Sequence, residues 1–208
     1  MSMCAWCESY ACSAGQDDDR NLPVQCPIRS GQWLPLALTQ YEAETNRHIA
    51  RSAADVETSG YCKWTRLEEV MEFAKRMEYR RIGLAFCSGL KHEARIVANL
   101  FDARGFETVT ATCSCGGVHK GDIGIPPESR FRTEGFEAMC NPIGQAMLMN
   151  EKSTDFNVVL GLCVGHDSLF FRYAEAPATV LAAKDRVLAH NPLAAVYLKN
   201  SYYRRIYG

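Results

Sequence analysis

The sequence has no long hydrophobic run, no strong charge of either sign and no standard nucleotide-binding fingerprint. No apolar run reaches the about 18 residues that a membrane-spanning helix needs, and the amino terminus lacks the basic and long apolar regions of a secretory signal. The formal net charge of -1 provides no electrostatic basis for binding nucleic acid or a membrane surface. Neither a Gly-x-Gly-x-x-Gly turn nor a Walker sequence is present. These absences predict a cytoplasmic protein that binds neither nucleic acid nor membranes.

Cysteine, by contrast, is abundant: the chain has 208 residues and ten cysteines. A disulfide framework is not expected in a reducing cytoplasm. Burial of cysteines as small hydrophobic residues explains some of them. The concentration of cysteines in the first 26 residues and at the ends of predicted strands favours metal or redox chemistry.

Residues 1–36 are predicted to form a cysteine-rich metal-binding module, and residues 37–208 an α/β domain with a cysteine-lined cleft. The module is turn-rich and poor in aliphatic residues, so coordination of a metal would supply the stability that burial cannot. Its metal ligands are predicted to be Cys4, Cys7, Cys12 and Cys26. Only one C-x2-C pair is present, whereas zinc ribbons usually have two, and Cys26-Pro27 is similar to the Cys-Pro that closes ferredoxin motifs. An iron–sulfur cluster is therefore favoured over zinc; incidental thiols in a disordered leader are the alternative.

Alternating apolar strands and amphipathic helices predict an α/β domain with a mainly parallel, doubly wound (Rossmann-like) sheet of about four strands. The strands are predicted at 81–86, 106–112, 156–162 and 178–183. Helices are predicted at 36–59, after the Thr65-x-x-Glu68 capping box, at 91–104, at 142–149 and at 168–175. A last helix is predicted to begin after Asn191-Pro192 and to continue into the basic and aromatic stretch at 202–207. The order of the strands in the sheet does not follow from the sequence.

The predicted carboxyl ends of the strands carry most of the remaining cysteines, and ligands bind at that edge in open parallel sheets. The residues at these ends are Cys87, Cys113, Cys115, Cys163 and Lys184. Cys140, His166 and His190 lie where helices leave the same edge. Soft thiolates select iron–sulfur clusters, zinc or copper(I). A second cofactor site is therefore predicted from Cys87, Cys113, Cys115, Cys140 and Cys163, with core packing as the alternative for any single cysteine.

The catalytic candidates are Cys163, His166 and Lys184. The first two lie in the glycine-rich stretch Gly161-Leu-Cys-Val-Gly-His-Asp167, where glycines allow a close approach to a ligand. His166 could transfer protons. Lys184 and Arg186 could bind a small anionic substrate, with Asp185 positioning one of them. A structural histidine and a surface charge cluster are the alternatives.

Several motifs together resemble one known family. They are the N-terminal Cys-x-x-Cys, Cys140-Asn-Pro-Ile-Gly-Gln-Ala146, Gly161-Leu-Cys-Val-Gly-His-Asp-Ser168, Lys184-Asp-Arg-Val and His190-Asn-Pro192. The family comprises small cysteine-rich proteins of bacteria and archaea, many of them anaerobes, which have no known function and are described as metal-binding. The resemblance covers nearly the whole chain and implies metal binding through these cysteines, but it implies no reaction.

Two functions are compatible with these features. The first is an iron–sulfur redox protein, in which an N-terminal cluster exchanges electrons with a centre near Cys163 that meets a small anionic substrate or an electron-transfer partner. The second is a zinc-binding or metal-delivery protein without catalytic activity. A long loop is predicted after the second strand and runs to about Gly135. This loop and the reactive side chains before helices favour the first function, and the absence of a standard cofactor fingerprint favours the second.

Overall fold

The structure is a computed structural model, which describes residues 4–15 and 22–207. The chain forms two compact units that divide between Asp55 and Val56. Residues 37–55, which the sequence assigned to the α/β domain, therefore fall in the first unit. None of the helices in the described ranges is long and apolar enough to cross a membrane.

The first unit is built from short helical segments. Its elements are single-turn 3-10 helices at Cys4–Trp6 and Ala11–Ala14, α1 (Pro27–Ser30), α2 (Trp33–Gln40) and the start of α3 (Glu44–Gly60). The single helix predicted over 36–59 is wrong, because the chain turns between α2 and α3. Side chains of α3 cap the exposed carbonyls of that turn: Arg47 donates to the carbonyls of Tyr41 and Glu42, both at 3.1 Å.

The second unit contains the strands and the remaining helices. Its principal elements are α4 (Arg66–Arg76), β1 (Arg81–Phe86), α5 (Lys91–Ala103), β2 (Glu107–Thr112), α6 (Pro142–Glu151), β3 (Phe156–Leu160), α7 (His166–Tyr173), β4 (Ala178–Ala182) and α8 (Leu193–Tyr197). Short 3-10 helices lie at Ser88–Leu90, Lys120–Ile123, Pro127–Ser129 and Arg204–Ile206. All four predicted strands are present, with ends within two residues of those expected.

The four strands form one sheet in the order β2-β1-β3-β4, and every pairing is parallel. At the carboxyl end of the sheet, Phe86 of β1 is paired with Thr112 of β2 on one side and with Leu160 of β3 on the other. This arrangement confirms the predicted α/β fold with a parallel sheet.

Helices cover both faces of the sheet because alternate strand residues point to opposite sides. Ile82, Leu84 and Phe86 of β1 pack in a core with buried residues of α4 and α5. Ala85 and Val159 pack on the opposite face, in a smaller core with residues of α6 and α7. The cysteines that follow β1 and β2 belong to the smaller core, so helices α6 and α7 flank the cysteine-lined edge.

Two of the three expected helix starts are as the sequence predicted. Thr65 and Glu68 form the capping box of α4, and Asn141 Oδ1 accepts a hydrogen bond of 2.9 Å from the Gly144 N–H at the start of α6. The similar Asn191-Pro192 precedes only a short helix, and no side-chain cap is formed there. The longer last helix expected from the sequence is therefore wrong. Residues such as Asn200 and Ser201 follow α8, and both are weak helix formers.

The long predicted loop between β2 and α6 is anchored at its base. The Met139 N–H donates to the Val118 carbonyl at 2.8 Å, and the Lys120 N–H donates to the Glu137 carbonyl at 3.0 Å. Lys120 Nζ also forms an ion pair with Glu137 at 2.5 Å. The hydrogen bond from the Lys120 side chain, together with a second from the Arg132 backbone N–H, lowers the pKa of Glu137 to about 2. The anchored base fixes the path of the chain into Cys140.

Candidate functional site

The cysteine-lined cleft lies where the direction of the sheet connections changes. The chain leaves β1 through α5 toward β2 at one edge, and leaves β3 through α7 toward β4 at the other. β1 and β3 are neighbours, so their carboxyl ends flank the position where open α/β sheets bind ligands. The Cys87 N–H donates to the Leu160 carbonyl at 3.2 Å, and the Cys113 N–H donates to the Phe86 carbonyl at 2.8 Å. Cys87 and Cys113 are thus placed side by side at this edge.

Cys140 joins these two cysteines from the segment before α6. The Asn141 N–H donates to the Cys113 carbonyl at 2.6 Å, which holds the two segments against each other. The Cys140 side chain packs against the smaller core, to which buried Cys87 and Cys113 belong. Gln145 of α6 strengthens the same edge, since its buried amide donates to the carbonyls of Phe86 at 3.2 Å and Ala111 at 2.7 Å. The cleft therefore gathers three cysteines from three separate segments.

Cys113 is an acidic thiol. Hydrogen bonding from the Cys140 side chain makes the largest contribution, and it outweighs the burial of the sulfur in lowering the pKa of Cys113 to about 5. The Ser88 backbone N–H donates to Cys113 Sγ at 3.2 Å, and the Ser88 hydroxyl lies 3.7 Å from the same sulfur. Ser88 begins the 3-10 turn that leads into α5, and a helix start favours negative charge. The cleft thus stabilises a thiolate on Cys113.

Cys140 has the opposite electrostatic behaviour. Its hydrogen bond to Cys113 raises the pKa of Cys140, and burial and the negative charge of Cys113 add to the effect. The hydrogen bond between the two sulfurs consequently favours one shared proton, with the thiol on Cys140 and the thiolate on Cys113. A paired thiol and thiolate is an arrangement suited to metal binding or to disulfide formation.

Cys163 reaches the cleft from the turn after β3, where it meets a positive charge. Arg186 Nη2 donates to Cys163 Sγ at 3.1 Å. This hydrogen bond is the main reason that the pKa of Arg186 is raised, and Cys87 and Cys140 contribute smaller electrostatic effects. Arg186 is therefore close enough to three of the cleft cysteines to interact with their charges.

Lys184 and His166 occupy different parts of the edge. A methyl group built on Gly89 would lie 3.6 Å from Lys184 Nζ and 3.9 Å from Cys87 Sγ, so the lysine ammonium and the Cys87 sulfur both flank Gly89. His166 begins α7, where its backbone N–H donates to the Cys163 carbonyl at 2.9 Å. Its imidazole forms no hydrogen bond within the described ranges. The structure thus places Lys184 among the cysteines and connects His166 to Cys163 only through the backbone.

Cys115 and Asp185 behave differently from the other predicted site residues. The Cys115 thiol donates to the Asn141 carbonyl at 3.7 Å. The pKa of Cys115 is raised, mainly by burial and to a smaller extent by the negative charge of Cys113. Asp185 accepts from the backbone N–H groups of Val187 at 2.9 Å and Leu188 at 2.8 Å. It therefore shapes the turn that carries Arg186. Within the described ranges it pairs with neither Lys184 nor Arg186, although the sequence suggested that it positions one of them.

Ser88 is the residue of the cleft that the sequence analysis missed. Its only sequence signal was its position, directly after Cys87 and directly before a predicted helix. A serine at a helix start offers both a backbone N–H and a hydroxyl to a nearby anion. Its partner Cys113 is 25 residues away in the chain, so the contact depends on the pairing of β1 with β2.

A second group of cysteines lines a cavity in the first unit. The cavity has a volume of about 550 Å³, and the four cysteines on its wall are Cys4, Cys7, Cys12 and Cys26. The Ser9 hydroxyl, 3.5 Å from Cys7 Sγ, makes the largest contribution to lowering the pKa of Cys7. Within residues 4–15 and 22–207, no three Cys, His, Asp or Glu side chains are gathered closely enough to hold a single metal ion.

The fold and the cleft define an α/β protein with a cysteine-lined edge at the centre of a parallel sheet. The chain belongs to the family described as "Protein of unknown function (DUF1847)", whose sequence pattern matches residues 28–181. It is also 40% identical, over 196 residues, to an uncharacterized protein of Methanocaldococcus jannaschii, and the match covers 94% of each chain. The cleft cysteines lie within the family match, whereas the four cysteines of the first unit precede it. A family of unknown function is thus confirmed, and metal binding stays a prediction.

Proposed function

We propose that the protein is a metal-binding redox protein whose N-terminal segment holds an iron–sulfur cluster. The observation that supports this proposal is the cavity whose wall contains Cys4, Cys7, Cys12 and Cys26. Thiolates are the ligands that iron–sulfur clusters require. When bound, such a cluster would supply one-electron transfer.

The segment around the cavity fits a group that contributes to folding. Only two hydrophobic side chains of residues 4–15 and 22–36, Ala11 and Leu22, are buried. So small a core cannot offset the conformational entropy lost on folding. Coordination of a metal couples binding to folding in segments of this kind.

The spacing of the cysteines in the sequence favours a cluster over a single zinc ion. Only Cys4 and Cys7 form a C-x2-C pair, whereas zinc ribbons usually have two such pairs. Cys26 is followed by Pro27, as in the Cys-Pro that closes ferredoxin cluster motifs. Zinc binding without catalysis is the alternative, and it would require the segment to close around the ion.

The cleft would provide the reactive centre of such a protein. Lys184 and Arg186 lie among the cleft cysteines, and in the described ranges neither forms an ion pair with a carboxylate. A small anionic substrate would supply the missing negative charge. Cys163 would then face the bound substrate, because Arg186 contacts both.

Anaerobic purification with metal and sulfide analysis and a visible spectrum tests the cluster. We expect iron and acid-labile sulfide, and we expect both to be lost in the Cys4→Ser/Cys7→Ser variant. The matched control is Cys62→Ser, which changes an exposed cysteine of the second unit. Zinc without iron would support the non-catalytic alternative, and a chain that binds neither metal would contradict both.

A further inference from the structure

We propose that Cys113 and Cys140 form a redox-active dithiol that exchanges with anionic organic disulfides. This activity goes beyond metal binding by the first unit and uses none of its cysteines. It requires two thiols that can join without a large movement, one of them accessible, and a charge that favours the substrate.

The backbone holds the two cysteines on adjacent, hydrogen-bonded segments. The Asn141 N–H donates to the Cys113 carbonyl at 2.6 Å, and the Met139 N–H donates to the Val118 carbonyl at 2.8 Å. These bonds hold the segment before α6 alongside the segment after β2. A disulfide requires Cα atoms about 4.4–6.8 Å apart, which is a separation typical of residues on adjacent hydrogen-bonded segments.

The two thiols differ in exposure, and this difference assigns their roles. Cys113 is only 5% exposed, whereas Cys140 is half-buried. An incoming disulfide therefore meets Cys140 first. Cys113 lies behind Cys140 as a thiolate, and the Ser88 backbone N–H donates to its Sγ at 3.2 Å.

The exchange takes place in two balanced steps. In the first, Cys140 passes its proton to the Cys113 sulfur and attacks a disulfide RS–SR, the S–S bond breaks, and the departing RS⁻ takes that proton from Cys113 and leaves as RSH. In the second, the Cys113 thiolate attacks Cys140 Sγ and expels the second RS⁻. Two cysteine sulfurs are oxidised to one disulfide, and one organic disulfide is reduced to two thiol equivalents.

Positive charge beside the pair favours an anionic disulfide. Arg186 Nη2 donates to Cys163 Sγ at 3.1 Å, and Lys184 Nζ and Cys87 Sγ both lie within 4 Å of the position of a methyl group built on Gly89. Oxidised glutathione carries carboxylates that these cations can bind, whereas cystamine carries ammonium groups that they repel. We expect glutathione disulfide to react on the order of 10-fold faster at low salt, with a smaller difference at high salt.

The experiment uses the full chain, purified anaerobically and then incubated with oxidised glutathione, alkylated and mapped by peptide mass spectrometry. We expect a Cys113–Cys140 disulfide in the wild-type chain. Cys113→Ser should accumulate a glutathione adduct on Cys140, because the attacking thiolate of the second step is missing. Cys140→Ser should take up no adduct on Cys113. Cys62→Ser is the matched control, because Cys62 is exposed and is not one of the cleft cysteines, and it should behave as the wild type.

Several outcomes would overturn the proposal. They are a disulfide that pairs Cys113 with Cys115 or Cys87, an adduct on Cys113 in the Cys140→Ser variant, or equal rates for glutathione disulfide and cystamine. Metal content is measured in parallel on each variant. Loss of metal from Cys113→Ser or Cys140→Ser would make the pair metal ligands and would also contradict the proposal. If metal content is unchanged, or if no variant contains metal, the peptide map alone decides whether Cys113 and Cys140 form the disulfide.

Discussion

Arg186 Nη2 lies 3.1 Å from Cys163 Sγ, across a gap of 23 residues in the chain. The contact joins the turn after β3 to the turn after β4, so it depends on the parallel pairing of these two strands. It also brings a positive charge, in addition to that of Lys184, to the cysteine-lined edge. The strength of this contact can be measured directly.

We expect the coupling between Arg186 and Cys163 to be modest. Arg186 is exposed, and exposed charge pairs contribute about 0.2–1 kcal/mol. A double-mutant cycle with Arg186→Gln and Cys163→Ser, followed by urea unfolding, measures the coupling in the free energy of unfolding. The same cycle with Arg186→Gln and Cys115→Ser serves as the control. Additive effects in both cycles would show that the contact contributes no measurable coupling to the free energy of unfolding.

Removing bound metal should loosen the first unit selectively. Residues 4–15 and 22–36 bury few hydrophobic side chains, whereas the strands are enclosed by two hydrophobic cores. We therefore expect faster amide hydrogen exchange in the first region after chelation and little change in β1 and β3. A uniform loss of protection in both regions would contradict separate stabilisation by metal.

The acidity of Cys113 predicts a pH-dependent stability. Its folded pKa of about 5 is below the value of about 8.5 for a free thiol. The thiolate therefore stabilises the fold fully above about pH 8.5, and this contribution is lost as the pH falls toward about 5. Cys140 has a raised pKa, so its contribution is present below about pH 8.5 and is lost at higher pH.

Denaturant unfolding at several pH values checks this prediction. We expect the free energy of unfolding of Cys113→Ser to change less between about pH 5 and 8 than that of the wild type. Cys115→Ser should retain the wild-type slope. An unchanged slope in Cys113→Ser would show that Cys113 is not a thiolate in the folded chain.

The sequence was most informative where local pattern determines structure. Buried strands such as Phe156–Leu160 are short apolar runs bounded by turns, and their ends were predicted within two residues. The order of the strands depends on contacts between distant segments, and these leave no local pattern. For that reason the sequence placed Cys87 and Cys163 at one edge but could not show that β1 and β3 are neighbours, or that Ser88 meets Cys113.

Gly161 should tolerate alanine poorly. Its φ of +67° is in the left-handed region, and an added Cβ would lie 2.2 Å from Leu90 Cδ1. Gly105 has a similar φ of +87° but no atom within 4 Å of an added Cβ. We expect Gly105→Ala to cost roughly 1–2 kcal/mol from backbone strain, and Gly161→Ala to cost about 1–3 kcal/mol more from the clash. Equal losses in thermal or urea unfolding would indicate that Leu90 moves aside easily.

The two Asn-Pro motifs offer a matched test of helix capping, because they are alike in sequence and differ in structure. Asn141 Oδ1 accepts the Gly144 N–H at 2.9 Å and begins the ten-residue helix α6. Asn191 precedes the five-residue helix α8, which has no side-chain cap. We expect Asn141→Ala to lower the free energy of unfolding by about 1 kcal/mol, up to about 2, and Asn191→Ala to change it by less than about 0.5 kcal/mol.

Because Asn141 also holds Cys140 beside Cys113 through its backbone, its alanine variant should keep the backbone bond and still form the disulfide. Loss of the disulfide in that variant would mean that the cap, and not the backbone pairing, positions Cys140.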